Sequence, residues 1–268
     1  MDQAGSRIRF EWGPAGAAAI APGAQVVAVV DVLSFSTTLT VAVERGIRVL
    51  PFRWSAGEAQ EAARRHGATL AVGRSRAVGP GQVSLSPGTI LRSTGIERLV
   101  LPSPNGSTIA ALLAATGVPV IGVSLRNAAA AAAWVGDRTV AVVAAGERWP
   151  DGTLRPAIED LWGAGAFISA LCKTGRAGPG HVAAGRSWLG DSAAGHGGLG
   201  DGLFGCSVEA RSALVAYRSI DDFDFALRGC GSGRELIDQG FADDVAVAAA
   251  VGSSVAVPVL VDGWFGAG

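Results

Sequence analysis

The sequence predicts an α/β protein built on a largely parallel sheet with helices on both faces. Three observations predict it: short valine-rich runs apolar on both faces, helical patterns lying between them, and turn residues bounding each run. The strand-sized runs are 25–32, 47–52, 68–72, 97–101, 118–123 and 139–144. A strand that is apolar on both sides must be covered on both sides, as parallel sheets are. Helical patterns fall at 36–45, 56–66, 107–116 and 126–135, each between two of these runs. From about residue 156 the pattern turns mainly helical, and VAVPVLV at 255–261 supplies a late strand.

Composition narrows the class. At 268 residues the chain is long enough for one large domain with a substantial core. Hydrophobic residues make up 49% and charged residues 17%, so the chain is globular and apolar rather than disordered. A net charge of -1 and the lack of any basic stripe give no reason to expect nucleic acid or an anionic membrane. The longest apolar stretches are strand-sized, short of the roughly 20 residues of a bilayer helix. The opening MDQAGSRIRFEWG has no signal-peptide pattern, and Cys172, Cys206 and Cys230 show no CxxC spacing. Reduced thiols and a cytoplasmic location are therefore expected. His66, His181 and His196 are scattered, against a zinc site.

Residues 175–207 break the regularity, being dense in glycine and poor in periodicity. They read as an irregular insertion within a single domain spanning 1–268, either a lid or a variable surface loop.

Three strand ends carry polar clusters, and in parallel α/β sheets ligands bind beyond the carboxyl ends of strands. In VVAVVDVLSFSTT, Asp31 closes a strand, and Ser36, Thr37 and Thr38 open the next helix. Hydroxyls and free N–H groups there make an anion site, or equally an ordinary helix cap. An aspartate in so apolar a run calls for a partner, a metal or a function. In LPSPNGST, Asn105, Gly106, Ser107 and Thr108 repeat that chemistry at a second strand end.

The third cluster is AAGERWPDGTLRPAIEDLWGAGA. Glu147 follows a strand at the same sheet edge as Asp31, while Asp151 belongs to a PDG turn. Glu159 and Asp160 are adjacent, hence about 100° apart on a helix, and also suit a first turn near the helix dipole. Asp31 and Glu147 are the candidate catalytic residues, and Asp31, Glu147, Glu159 and Asp160 the candidate ligands for Mg²⁺. Anion-binding helix starts beside carboxylates point to metal-assisted chemistry on a phosphate ester. Neither a GxxxxGK[ST] loop nor a DxD nucleophile motif is present.

The segments VVDVLSFSTT, LPSPNGST, LRNA, AAGERW, EDLWGAGA and SGRELIDQGFADDVAVAA, then VPVL, occur in order over about 25–261. Together they resemble the 2-phosphosulfolactate phosphatase (ComB) family. The resemblance implies a three-layer α/β/α fold with a mixed sheet. It also implies Mg²⁺-dependent hydrolysis of (2R)-2-phospho-3-sulfolactate to sulfolactate and phosphate, a step towards coenzyme M. Asp31, Ser36, Thr37, Asn105, Gly106, Ser107, Asn127, Gly146, Glu147, Glu159, Asp160 and Gly165 match family motif positions. Ser34 stands where the family has an arginine, and Gly73–Arg74 where many members have Gly–Glu; Arg74, Arg76 and Arg126 are the candidate replacements. The implied partner is a small phosphorylated organic acid, with a homodimer as the assembly considered. The alternative is a binding protein that holds an anionic metabolite on this scaffold, with altered specificity or without turnover.

Overall fold

Alternation along the valine-rich strands sorts the core into two layers in a computed structural model that describes residues 3–53, 56–77, 79, 81–174 and 205–268. The strands and helices at the amino end are β1 (Ile8–Trp12), α1 (Gly13–Ile20), β2 (Val26–Val30), α2 (Phe35–Glu44) and β3 (Arg48–Phe52). They continue as α3 (Ala56–His66), β4 (Thr69–Leu70), α4 (Pro87–Arg92), β5 (Arg98–Pro102) and α5 (Gly106–Leu113). Next come β6 (Val120–Val123), α6 (Ala128–Val135), β7 (Val140–Ala144), β8 (Glu147–Arg148), β9 (Leu154–Arg155) and α7 (Ile158–Thr174). The chain ends in α8 (Val208–Arg218), α9 (Phe223–Gly229), α10 (Gly231–Asp238), α11 (Ala242–Ala249), β10 (Pro258–Val261) and β11 (Trp264–Ala267).

Side chains on a strand alternate between its faces. Val26, Ala28 and Val30 of β2 accordingly join α6, α7 and α8 through Ala131, Phe167 and Leu214. Val27 and Val29 point the other way, toward α1, α2 and α5 through Ile20, Leu39 and Ile109. The result is the expected three-layer α/β/α architecture. Every residue of β2 and β7 is buried, which explains why both strands read as unbroken apolar runs. On the α7 side, Gly165 sets the closest approach. A Cβ there would lie 2.1 Å from the Ala213 carbonyl oxygen, so α7 and α8 touch backbone to backbone.

The sheet has nine strands in the order β1-β7-β2-β6-β10-β11-β3-β5-β4. Two parallel blocks, β1-β7-β2-β6 and β3-β5-β4, flank the antiparallel hairpin β10–β11. The late strand thus becomes a hairpin that wedges between the blocks. β1 and α1 precede the first run read from the sequence, and β1 forms an edge through its pairing with β7. Because each step across the hairpin is antiparallel, the two blocks run in opposite senses. A twist of about 20–25° per strand accumulates over the five steps from β2 to β5 to roughly 100–125°, which lets their carboxyl ends meet.

The Gly-rich insertion lies outside the described residues except for its last three positions. There Ile8 N–H donates to the Gly205 carbonyl at 2.8 Å, and Ser207 N–H donates to the Ile8 carbonyl at 2.9 Å. Ser207 then caps α8, its oxygen accepting from Ala210 N–H at 3.1 Å. Among the described residues no helix is long and apolar enough to cross a membrane.

Candidate active site

Asp31 leaves the end of β2 with its side chain buried. A carboxylate removed from water needs donors, and two helix starts supply them. Oδ1 accepts from Phe35 N–H at 3.0 Å, at the start of α2, and Oδ2 accepts from Gly106 N–H at 2.9 Å, at the start of α5. One aspartate therefore ties together helices that follow strands of opposite blocks. Gly106 is required for this approach, because a Cβ on it would come within 2.6 Å of Asp31 Oδ2 and 2.4 Å of the Phe35 ring.

Glu147 sits beyond β7 in the short hairpin β8–β9, opposite Arg155. Its Oε2 accepts from Asn105 Nδ2 at 2.9 Å. Asn105 in turn is the residue before α5, so the second strand-end cluster reaches the third through this bond. Asp31, Asn105 and Glu147 all line one cavity of about 320 Å³, the size of a small-molecule site. The sequence reading placed these three residues at strand ends, and the fold brings them together.

Glu159 and Asp160 open α7 and are both buried, but neither lines the cavity. Asp160 Oδ1 accepts from Val32 N–H at 2.7 Å and Oδ2 from Gly146 N–H at 2.8 Å. It holds the ends of β2 and β7 in register, with both oxygens occupied by backbone donors. Glu159 contacts the Cys230 thiol, which burial and the Glu159 charge push up to about 11. Among the described residues no group of three or more His, Cys, Asp or Glu is arranged to hold a metal ion. The four acids thus divide into Asp31 and Glu147 at the cavity and Glu159 and Asp160 behind it.

The electrostatics are those of acids with too little positive charge nearby. Burial raises Asp31 to about 6, helped by Glu159 and opposed by the Phe35 and Gly106 N–H groups. Burial raises Glu147 to about 7, with Asp31 and Glu159 adding to the rise and Asn105 opposing it. Burial also raises Asp160 well above its ordinary range, with Asp31 and Glu159 contributing.

The hydroxyls expected to bind substrate have other partners. Ser36 Oγ donates to the Asp31 carbonyl at 2.7 Å, Thr37 Oγ1 to Val32 at 2.8 Å, and Thr38 Oγ1 to Leu85 at 2.7 Å. Ser107 Oγ donates to the Leu101 carbonyl at 2.7 Å and Thr108 Oγ1 to Ser103 at 3.1 Å. Asn127 accepts from Ser124 N–H at 2.8 Å and donates to the Gly122 and Ala256 carbonyls at 3.1 and 3.0 Å. None of these six side chains lines the cavity. They fasten the loops that do.

Of the three candidate replacement arginines, the cavity contains Arg74. Its Nη2 donates to Ser34 Oγ at 2.7 Å, so its guanidinium reaches the residue standing at the family's arginine position. Its Nε lies 3.5 Å from Asp244 Oδ2, and neither atom makes a hydrogen bond. Phe241 offers a ring face 5.5 Å below the guanidinium. Asp244 is itself anchored, its Oδ1 accepting from Ser86 Oγ at 2.5 Å and Gly88 N–H at 3.2 Å. Arg126 instead pairs with Glu44 at 3.0 Å, and Arg76 is exposed.

The far wall is Ser232, Glu235, Leu236 and Gln239, on and just after α10. All four lie in the SGRELIDQG segment that carries the resemblance, but none is named there as a site residue, although their i, i+3, i+4, i+7 spacing marks one helix face. Arg155 crosses from β9 to donate to Ser232 Oγ at 3.3 Å. The cavity lining thus combines the acids Asp31, Glu147 and Glu235 with the Arg74 guanidinium and the polar side chains of Asn105 and Ser34. Arg74 acts on the charge of Asp31, whereas the basic residue acting on Glu147 is Arg155. A model of the 2-phosphosulpholactate phosphatase family matches residues 18–263, nearly the whole chain, and the chain belongs to that family of phosphoric monoester hydrolases.

Proposed function

We propose that this chain is a Mg²⁺-dependent phosphatase for a small anionic phosphate monoester. By its family the substrate is (2R)-2-phospho-3-sulfolactate, released as sulfolactate and phosphate on the way to coenzyme M. One observation carries the reading: Asp31 and Glu147 line the same cavity, and both are raised toward neutrality by burial and by the nearby Glu159 charge. Mg²⁺ favours one or two carboxylates completed by water and phosphate oxygens, so this donor pair fits it. Asp31 and Glu147 would hold the ion, with the Glu159 charge adding negative potential from behind. When bound, Mg²⁺ supplies charge neutralisation at the transferring phosphoryl group.

The chain's own residues divide the remaining work. Asn105 holds one oxygen of Glu147, so that the other can take a proton from the attacking water. The burial that raises Glu147 makes it a stronger base than an ordinary carboxylate. Asp31 is locked by two N–H donors and keeps its position while charge shifts around it. Arg74 lines the same cavity and binds an anionic oxygen of the substrate, for which a guanidinium offers several donors at once.

A panel of phosphate monoesters with and without Mg²⁺, run on wild type and Arg74→Met, tests this. Release of phosphate only with Mg²⁺, and a KM raised at least tenfold in Arg74→Met with kcat changed less than threefold, is expected. Saturable binding of the esters without phosphate release would replace the phosphatase by an anion-binding protein.

A further inference from the structure

Cys172 and Cys206 are 34 positions apart in sequence, yet their Sγ atoms lie 3.6 Å apart in the buried layer between α7, α8 and β1. Both stand on fixed backbone. Cys172 is in the last turn of α7, whose packing on α8 is set by the close approach at Gly165. Cys206 is held between two hydrogen bonds to Ile8 of the edge strand, and the cap of α8 follows at once. Two sulfurs so held need to approach by only about 1.5 Å to reach bonding distance.

We propose that Cys172 and Cys206 are a redox-modification site, a dithiol that a peroxide converts to a disulfide clipping the end of α7 to the β1–α8 junction. The two thiols are chemically unequal. The hydrogen bond from Cys206, with the Arg7 and Arg218 charges, holds Cys172 down to about 7, whereas Cys206 is pushed up. Cys172 is therefore the attacking thiolate and Cys206 the resolving thiol. The Cys172 thiolate attacks one oxygen of hydrogen peroxide, the O–O bond breaks and the departing hydroxide takes up a proton as water. Cys206 sulfur then attacks the Cys172 sulfenic acid. The S–S bond forms as the S–O bond breaks, and the second oxygen leaves as water with the Cys206 proton. Overall two thiols and one peroxide give one disulfide and two waters. Cys230 stays a thiol, raised to about 11 and bonded to the Leu227 carbonyl.

The clip is remote from the cavity. From Asp160 to Cys172 the helix rises about 18 Å, so the bond leaves the phosphatase site untouched. Its effect is on stability, since closing a long loop restricts the unfolded chain.

The test is peroxide titration of the reduced protein, followed by alkylation of free thiols, peptide mass mapping and thermal unfolding. The expected result is a Cys172–Cys206 cross-linked peptide with Cys230 alkylated. Tm should rise by about 4–12 °C, reversed by dithiothreitol, with turnover within twofold of the reduced enzyme. In Cys206→Ser the same treatment should leave a dimedone-reactive Cys172 and no rise in Tm. If all three thiols remain alkylatable after peroxide, if Cys230 takes part in the bond, or if Tm does not rise, the proposal is overturned. The wild-type measurements decide this even where the variant does not fold.

Discussion

Replacing Glu147 by glutamine should stabilise the metal-free protein at alkaline pH while abolishing its activity. The carboxylate is raised from its ordinary 4.5 to about 7 by burial and by the Asp31 and Glu159 charges. At 1.36 kcal/mol per tenfold, that rise corresponds to roughly 3.4 kcal/mol held against the ionised form. The sign follows from proton binding. Between these pH values the folded state keeps a proton that the unfolded state has released, so the stability contribution is full below 4.5 and is lost as pH rises through about 7. Glutamine is permanently neutral and keeps an oxygen for Asn105 Nδ2, so it escapes the loss without orphaning its partner. Because Glu147 is only part-buried, solvent screening discounts the figure to about 1–3 kcal/mol. For a domain of this size that is roughly 2–10 °C in Tm. Thermal unfolding at pH 5 and pH 8, with EDTA and with Mg²⁺, reads it directly. The gain should appear at pH 8 in EDTA and shrink at pH 5, where wild-type Glu147 is already protonated. It should shrink again when Mg²⁺ is added to the wild type. A variant less stable than wild type at pH 8 would show that Glu147 is a structural residue and refute the electrostatic reasoning.

Three further outcomes follow from the same geometry. Gly106→Ala should cost about 2–4 kcal/mol of stability and at least tenfold in turnover, since its Cβ would collide with both Phe35 and Asp31, as denaturant unfolding and steady-state kinetics will show. Asp160→Ala leaves the Val32 and Gly146 N–H groups without acceptors and should cost about 2–5 kcal/mol in urea unfolding, a structural loss rather than a purely catalytic one. In wild type, kcat/KM should climb with pH as Glu147 ionises, and that limb should move to lower pH as the Mg²⁺ concentration rises, as pH–rate profiles at several Mg²⁺ concentrations will show.

The layered fold was legible because β2 and β7 are buried on both faces and so spell uninterrupted apolar runs. The acidic part of the site was legible for a related reason. Asp31 interrupts such a run, and a lone carboxylate at a strand end has few structural uses. The hydroxyls are ambiguous in sequence because Ser36, Thr37, Ser107 and Thr108 donate to backbone carbonyls five or six residues back and Thr38 to distant Leu85, and sequence alone does not separate such bonds from anion binding. Arg74 and α10 were harder still. Arg74 opens a single 3-10 turn (Arg74–Arg76), too short to show periodicity, and its anchors at Ser34 and Asp244 are 40 and 170 positions away. β11 is not legible in the sequence, because glycine and an aromatic pair hide a strand whose place comes from β10 and β3.

The most direct test of the central claim is Mg²⁺-dependent phosphate release from 2-phospho-3-sulfolactate by wild type, Asp31→Asn and Glu147→Gln, each checked for folding. The account predicts turnover in wild type that EDTA removes and Mg²⁺ restores, with at least a hundredfold loss in each variant. Undiminished Mg²⁺-dependent release by both folded variants would contradict it.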